Sequence, residues 1–435
     1  MATDFCNKIG TERSTNGAGC LWVFTSADDP LPAGRTLSNM LCLRRWTRAP
    51  VTDEPAPEMT VPAEREPWLD VLRGIAVAGM IVVNNPGSWD RVYWPLAHAQ
   101  WHGWTAADLI FPLFLFIVGV SVSLAFSHGE WSNRRLYLKV LRRTVLLYAL
   151  GVLISAFPNF DLSTMRLTGV LQRIAVCYLF AVVVFLAMPR PRQLLFIIAA
   201  LLVADYLLMA FIPVPGCALG SLGRECNVAG YIDRIVLGRH VGAETHDPEG
   251  LLTTIPALAT TLCGVAAGQW LRARRRDRDK LVLLVAGGAC CMAAGLIGHA
   301  WFPINKSLWT SSYVLLTAGT SSLALTFCYA LIRDKKIKAW ALAFQILGVN
   351  ALAAFILSEL LARAMAVERW WNLSHVDGRQ GADLRTYLHE RLFMPWSGPQ
   401  LASALWALAY LTLIVVMMSA YRSFTSRVRA TPMSR

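Results

Sequence analysis

The chain has 435 residues, of which 55% are hydrophobic and only 16% charged, and 16 are Trp. Its apolar residues fall in runs too long for soluble helices, so lipid is the solvent in which the sequence has to be read, and a soluble fold is excluded. The net charge of +13 would suit a nucleic-acid binder, but the Lys and Arg sit between hydrophobic runs rather than on one soluble face, which argues against nucleic acid as a partner.

In chain order, residues 1–67 mix Pro, Thr, Glu and Asp with isolated apolar residues and show no sustained period, the composition of a disordered extension. The apolar piece from Cys20 to Phe24 is too short for a signal-peptide core. An upstream extension with the real chain beginning near Met59 is an equal reading. Ten apolar runs follow, near 71–86, 105–127, 138–157, 169–188, 193–213, 251–271, 281–302, 308–331, 341–363 and 402–420. Each is close to the roughly 20 residues a helix needs to cross hydrocarbon. Backbone polar groups in lipid must be satisfied internally, and runs without period-two alternation exclude a β-barrel. The predicted fold is therefore an all-α integral membrane bundle of about ten helices, or eleven at most, over residues 68–422, with a cytoplasmic tail at 423–435.

The basic residues set a topology. Arg134, Arg135, Lys139, Arg142 and Arg143 follow the second run, Arg190 and Arg192 the fourth, Arg272 to Lys280 the sixth, and Arg333, Lys335, Lys336 and Lys338 the eighth. The odd connections are longer yet carry few: Arg91, Arg166 and Lys306. By the positive-inside rule both termini and the even turns face the cytoplasm, and the odd loops face outward. In a bacterium this is the plasma membrane, with the loop after the first run on the periplasmic side. Cys217 and Cys226 lie close together in one outward loop and are expected to pair there. Cys177, Cys263, Cys290, Cys291 and Cys328 read as apolar filler inside helices.

Ionisable groups inside hydrophobic runs are costly and mark sites by default. Asp70 and Arg73 open the first run at spacing i, i+3, with an interfacial ion pair as the plain alternative. The segment Asn84–Asp108 is the richest: Asn84, Asn85, Trp89, Tyr93, Trp94, His98, Trp101, His102, Trp104 and Asp108. His98 is the foremost candidate for acid–base or nucleophilic work. Asn84 before it and Asp108 after it could each hydrogen-bond a ring nitrogen and fix the tautomer. A structural hydrogen-bonder is the ordinary role of a His in an aromatic loop. The fourth run opens with Gln172 and Arg173 and has no acidic residue at helical spacing, so Arg173 wants an anion. Tyr231, Asp233, Arg234, His246, Asp247 and Glu249 precede the sixth run, and Asn305 and Lys306 precede Trp309; solvated loops are the alternative. Asn350 and Glu359 in the ninth run are expected roughly on one face. Gly74, Gly79, Gly119, Gly264 and Gly268 read as close-packing positions. No metal-ligand spacing, phosphate loop or dinucleotide fingerprint occurs, so no metal is expected.

In order along the chain, LDVLRGIA (69–76), VNN (83–85), HAQWHGWTAADLIFP (98–112), GVLQRIAVCY (169–178), PVPGC (213–217), GYIDR (230–234), DPEG (247–250) and PINKSLW (303–309) resemble the blocks of the heparan-alpha-glucosaminide N-acetyltransferase family of transmembrane acyltransferases. The resemblance covers nearly everything from Leu69 to the last run. It implies transfer of acetyl from cytoplasmic acetyl-CoA to the amine of an amino sugar or glycan on the far side. It also makes His98 the match of the family's catalytic histidine, with Asn84 and Asp108 beside it and Arg173 in the same core. Cys217 and Cys226 match a cysteine pair of the lumenal loop. Arg173, Gln172, Lys306 and Asn350 are the polar groups assigned to holding the donor. The chain departs from the lysosomal enzyme in lacking a large domain ahead of the first core helix, which leaves the acceptor sugar open. A homodimer is admitted by the sequence but not required. A transporter or flippase for a lipid-linked sugar is the competing reading, since intramembrane polar residues serve transport as well.

Overall fold

The computed structural model describes residues 66–126, 134–188, 190–243, 245–332, 339–374 and 380–430. The expected disorder before residue 66 and the basic residues 333–338 lie outside the described residues. The helices are α1 (Pro67–Asn84), α2 (Ile110–Ala125), α3 (Arg134–Ala156), α4 (Val170–Ala187), α5 (Pro191–Phe211), α6 (Val228–Leu237), α7 (Thr254–Arg272), α8 (Asp277–Gly298), α9 (Ser311–Ile332), α10 (Ala339–Val349), α11 (Ala351–Met365), α12 (Glu368–Trp371), α13 (Leu384–Leu392) and α14 (Pro399–Ala430). A two-stranded antiparallel hairpin, β1 (Leu373–Ser374) with β2 (Gln380–Ala382), lies between α12 and α13. The run-by-run reading missed this short capping segment because its elements are brief and mostly polar.

Each predicted run is helical, but not each is a span by length and hydropathy. Among the described residues seven helices are long and apolar enough to cross a membrane: α1, α2 with the turn before it, α4, α5, α8, α9 and α14. The pair α10–α11 makes eight if counted as one broken span. The basic first half of α3 and the Thr- and Gly-rich face of α7 lower their mean hydropathy. Pro67 opens α1 at its first turn, where the missing N–H is no loss.

Small residues bring the central helices together. A side chain at Gly119 of α2 would collide with the Thr261 carbonyl of α7, and one at Gly264 of α7 with the Phe116 carbonyl of α2. Gly74 of α1 and Gly348 of α10 are packed in the same way against the Phe344 and Asp70 carbonyls. Such close approach gains van der Waals contact where lipid offers no hydrophobic drive. α1 is the centre, touching α2, α9, α10, α11 and α14. By contrast, α5 and α8 bury only 22% and 17% of their apolar windows and leave Phe196, Val203, Phe211, Val282 and Ile297 exposed, the pattern of helices facing lipid.

The ninth run corrects an expectation. The helix breaks at Asn350 with a bend of 80°, so Asn350 stands at an elbow and Glu359 two turns along α11. They do not share a face, and nine residues are in any case half a turn out of phase at 100° per residue. α10 crosses α1 at its Asp70 end, and α11 rises to its Asn84 end, where Asn84 Nδ2 and Glu359 Oε1 are 3.5 Å apart.

Candidate functional site

Beyond α1 the chain makes two single 3-10 turns, Trp89–Arg91 and Trp94–Leu96, and reaches His98. A third, Ala106–Leu109, runs into α2 and opens with a capping box between Thr105 and Asp108. Such a box satisfies otherwise orphaned N–H groups, and it fixes Asp108, whose side chain is 1% exposed. Asp108 Oδ2 accepts the backbone N–H of Ala99 at 3.0 Å and of Thr105 at 3.1 Å. Oδ1 lies 2.8 Å from His98 Nδ1. With Asp108 ionised, the stable tautomer donates from Nδ1 and leaves the Nε2 lone pair free on a ring that is 35% exposed. Of the two ring partners the sequence offered, the structure selects Asp108; Asn84 reaches toward Glu359 instead.

The turn before α9 closes the cluster from the other side. Lys306 Nζ is 3.1 Å from His98 Nδ1 and 3.3 Å from Asp108 Oδ1. Burial lowers the Lys306 pKa, against the opposing pull of Asp108 and then Glu249. Asn305 Oδ1 accepts the Leu308 N–H at 2.9 Å, and its amide nitrogen is 3.3 Å from His102 Nδ1. Burial lowers the His102 pKa, with His299 adding to it. Tyr313 donates to the Asp108 carbonyl at 2.5 Å, and buried Trp309 donates to Thr260 Oγ1 at 3.1 Å. The Arg173 guanidinium lies 4.8 Å over the Trp309 ring. It is 2% exposed, donates to Thr253 Oγ1, and among the described residues Nε and Nη1 have no hydrogen-bond partner.

Residues 242–243 and 245–253 are less solvated than their polar sequence suggests. Asp247 accepts from Arg166 Nε at 3.0 Å, Thr168 Oγ1 at 2.5 Å, Gly242 N at 2.6 Å and Glu249 N at 2.8 Å. Burial works against the charge, but the Arg166 hydrogen bond and charge hold the carboxyl below its ordinary value, and Arg166, paired to Glu249 as well, is raised. Asp233 accepts the Leu251 N–H at 2.9 Å, and burial raises its pKa. Cys217 and Cys226 are joined as expected, over a small apolar cluster of Met209, Val214, Val228, Phe302 and Leu308.

A cavity of about 520 Å³ lies in the elbow between α10 and α11, walled by α1, α2, α3 and α4. Arg73 meets Ser121 and Gly348, next to Asn350, at one part of the lining; Arg143 lines it too, and the remaining wall is largely apolar, through Phe114, Met80, Leu171 and Phe355. Arg73 pairs with Asp70 at 2.7 Å, and Arg143 stands 4.8 Å over the Tyr178 ring, which also lines the cavity. Arg73, Met80 and Asn84 share one face of α1, so the stripe from cation to amide runs about 16 Å along the helix.

The sequence-predicted residues thus divide. His98, Asp108 and Lys306 form one cluster. Asn350 lines the cavity next to the Arg73 contacts. Gln172 and Arg173 open α4 beside its wall residues Leu171 and Ile174, and Gln172 Nε2 is buried without a partner. Thr105, Tyr313 and Arg166 were missed; the spacing of Thr105 and Asp108 was the readable signal for the first. Among the described residues no cluster of His, Cys, Asp and Glu is arranged to hold a metal ion.

The family model for the heparan-alpha-glucosaminide N-acetyltransferase catalytic region matches residues 65–304. The mouse heparan-alpha-glucosaminide N-acetyltransferase is 30% identical over 361 residues, covering 69% of this chain and 54% of the relative. The human protein of that name is 31% identical over 357 residues, covering 67% and 52%. The chain spans about half the length of the curated relatives it matches.

Proposed function

The chain belongs to the heparan-alpha-glucosaminide N-acetyltransferase family, and from that premise we propose that it moves an acetyl group from acetyl-CoA on one side of a membrane to the amine of an amino sugar or cell-envelope glycan on the other. The observation that carries the reading is the Asp108-bound His98, with Nε2 left to attack or to take a proton. A neutral imidazole serves either route. In direct transfer it removes the proton an amine must lose before attacking. In the two-step route it takes the acetyl and passes it on.

The cavity supports the donor half. CoA is a polyanion with a long thin arm, and Arg73 and Arg143 on the lining of an otherwise largely apolar space suit a phosphate-bearing head with the arm running toward Asn84. Asn350 next to the Arg73 contacts, and Gln172 and Arg173 beside the α4 wall, are the proposed donor contacts. The open N–H groups of Arg173, and Asn84, are the candidates to stabilise the oxygen of the breaking thioester. By the positive-inside distribution the Arg73 end and both termini are cytoplasmic and His98 faces outward. A reporter active only outside the cytoplasm, fused after Arg422, should be silent.

The 80° break at Asn350 is one observation that favours a transporter, because discontinuous helices line transport sites. Release of free thiol from acetyl-CoA by purified protein separates the two. An acetyltransferase releases it in proportion to acetylated amino sugar, and a transporter releases none.

A further inference from the structure

Three groups meet at one carboxylate oxygen. Asp108 Oδ1 is 2.8 Å from His98 Nδ1 and 3.3 Å from Lys306 Nζ, and the two nitrogens are 3.1 Å apart. One anion shared by two bases makes the proton count decisive. With Lys306 charged, a proton on Nδ1 completes the set and Nε2 keeps its lone pair. A second ring proton would set an imidazolium against an ammonium, with Asp108 already shared between them. Like charges this close strongly disfavour the doubly protonated ring.

Lys306 arrives from the connection between α8 and α9, far along the chain from the His98 loop, and its turn is held independently by Asn305 and Thr310. We propose that Lys306 is a positioning residue for His98: its ammonium, sharing Asp108 Oδ1, keeps the imidazole neutral and unprotonated at Nε2, and so extends toward lower pH the range in which His98 works. This rests on the role given to His98 above. The other ionisable groups around the triangle are Glu249, whose charge reaches Lys306 and which is paired to Arg166; Tyr313, on the Asp108 carbonyl; His102, on Asn305; Arg173, on Trp309; and Arg224 and His246, which meet Trp101.

The test needs no activity. Diethyl pyrocarbonate reacts with imidazole only in its neutral form, so labelling the full chain in detergent over a pH series, read at the His98 side chain by mass spectrometry, gives a titration midpoint. Lys306→Gln should raise that midpoint by about one pH unit, roughly a tenfold change in proton affinity, while Lys306→Arg should leave it in place. The acid limb of kcat/KM should move by the same amount. A midpoint unmoved in Lys306→Gln, or moved equally in Lys306→Arg, overturns the proposal. Should Lys306→Gln not fold, Lys306→Met is read in the same way. Asp108→Asn gives the converse: with the cation unopposed the midpoint should fall, and a midpoint that holds overturns the proposal too. If the wild-type protein transfers no acetyl at all, the functional reading fails, yet the midpoints still decide what Lys306 does.

Discussion

At the His98 end, charge is held in fixed geometry. Asp108 and Asp247 are almost fully buried and take hydrogen bonds from backbone N–H groups as well as from side chains of distant segments. At the Arg73 end, two guanidiniums face a cavity of about 520 Å³ whose other walls are mostly apolar. Neighbours that fix every atom suit a reacting centre, where small displacements cost rate. Cations at the mouth of an open space suit a flexible anion that comes and goes. The contrast teaches that polar residues of similar cost in a membrane can serve chemistry or binding, and that their partners tell which.

Substitution tests can break that contrast, beginning with His98→Ala. Turnover should fall by about 10² to 10⁴ if His98 is a general base, and further if it is an obligatory nucleophile. A folded His98→Ala protein acetylating at the wild-type rate would end the assignment. Asp108→Asn comes next, expected to lower kcat by about a hundredfold while KM for acetyl-CoA hardly changes, since it acts on the step rather than on the donor. Arg73→Gln and Arg143→Gln should do the reverse, raising KM for acetyl-CoA about tenfold each with kcat nearly kept. If those two instead lowered kcat alone, the division between the ends would be wrong.

Asp247→Asn should cost about 1 to 3 kcal/mol of stability, read by thermal unfolding, through loss of charged hydrogen bonds. The folded Asp247 carboxyl is depressed below its ordinary 3.8. Its contribution is therefore full above about pH 4 and fades as pH falls through the folded value. Wild type and Asp247→Asn should converge in strong acid and separate near neutrality. Cys217→Ser with Cys226→Ser should cost a comparable amount, about 2 to 3 kcal/mol of stability for so short a loop, with donor KM unchanged.

Much of this architecture was legible in the sequence because lipid leaves few options. Apolar runs had to be helices, and Gly119, Gly264 and Gly268 had to lie where helices touch. His98 with Asp108 was readable as one of two local pairings, ten residues apart in one connection. What sequence could not give was the third dimension of the cluster. Lys306 looked like one more cation in an outward loop, and only the packing of the α8–α9 turn against the His98 loop joins them. Asn350 and Glu359 failed for another reason: nine residues put two side chains on opposite faces of a straight helix, and an apolar run carries no mark of the 80° bend between them. Asp233 and Asp247 look solvated in sequence and are buried, since their partners come from Leu251 and from Arg166 and Thr168.

The elbow at Asn350 bears on hydration. A helix broken inside a membrane leaves backbone N–H and C=O groups that lipid cannot satisfy, and such backbone is tolerated only against protein or water. Arg73 Nη1 meets one of these groups, donating to the Gly348 carbonyl at 3.2 Å, while Val349 to Ala353 line the cavity. Water is a natural partner for any such group that protein does not meet. If the donor thioester lies in this cavity, water reaching the bend would expose it to hydrolysis, and slow release of free acetate without any acceptor is the expected sign.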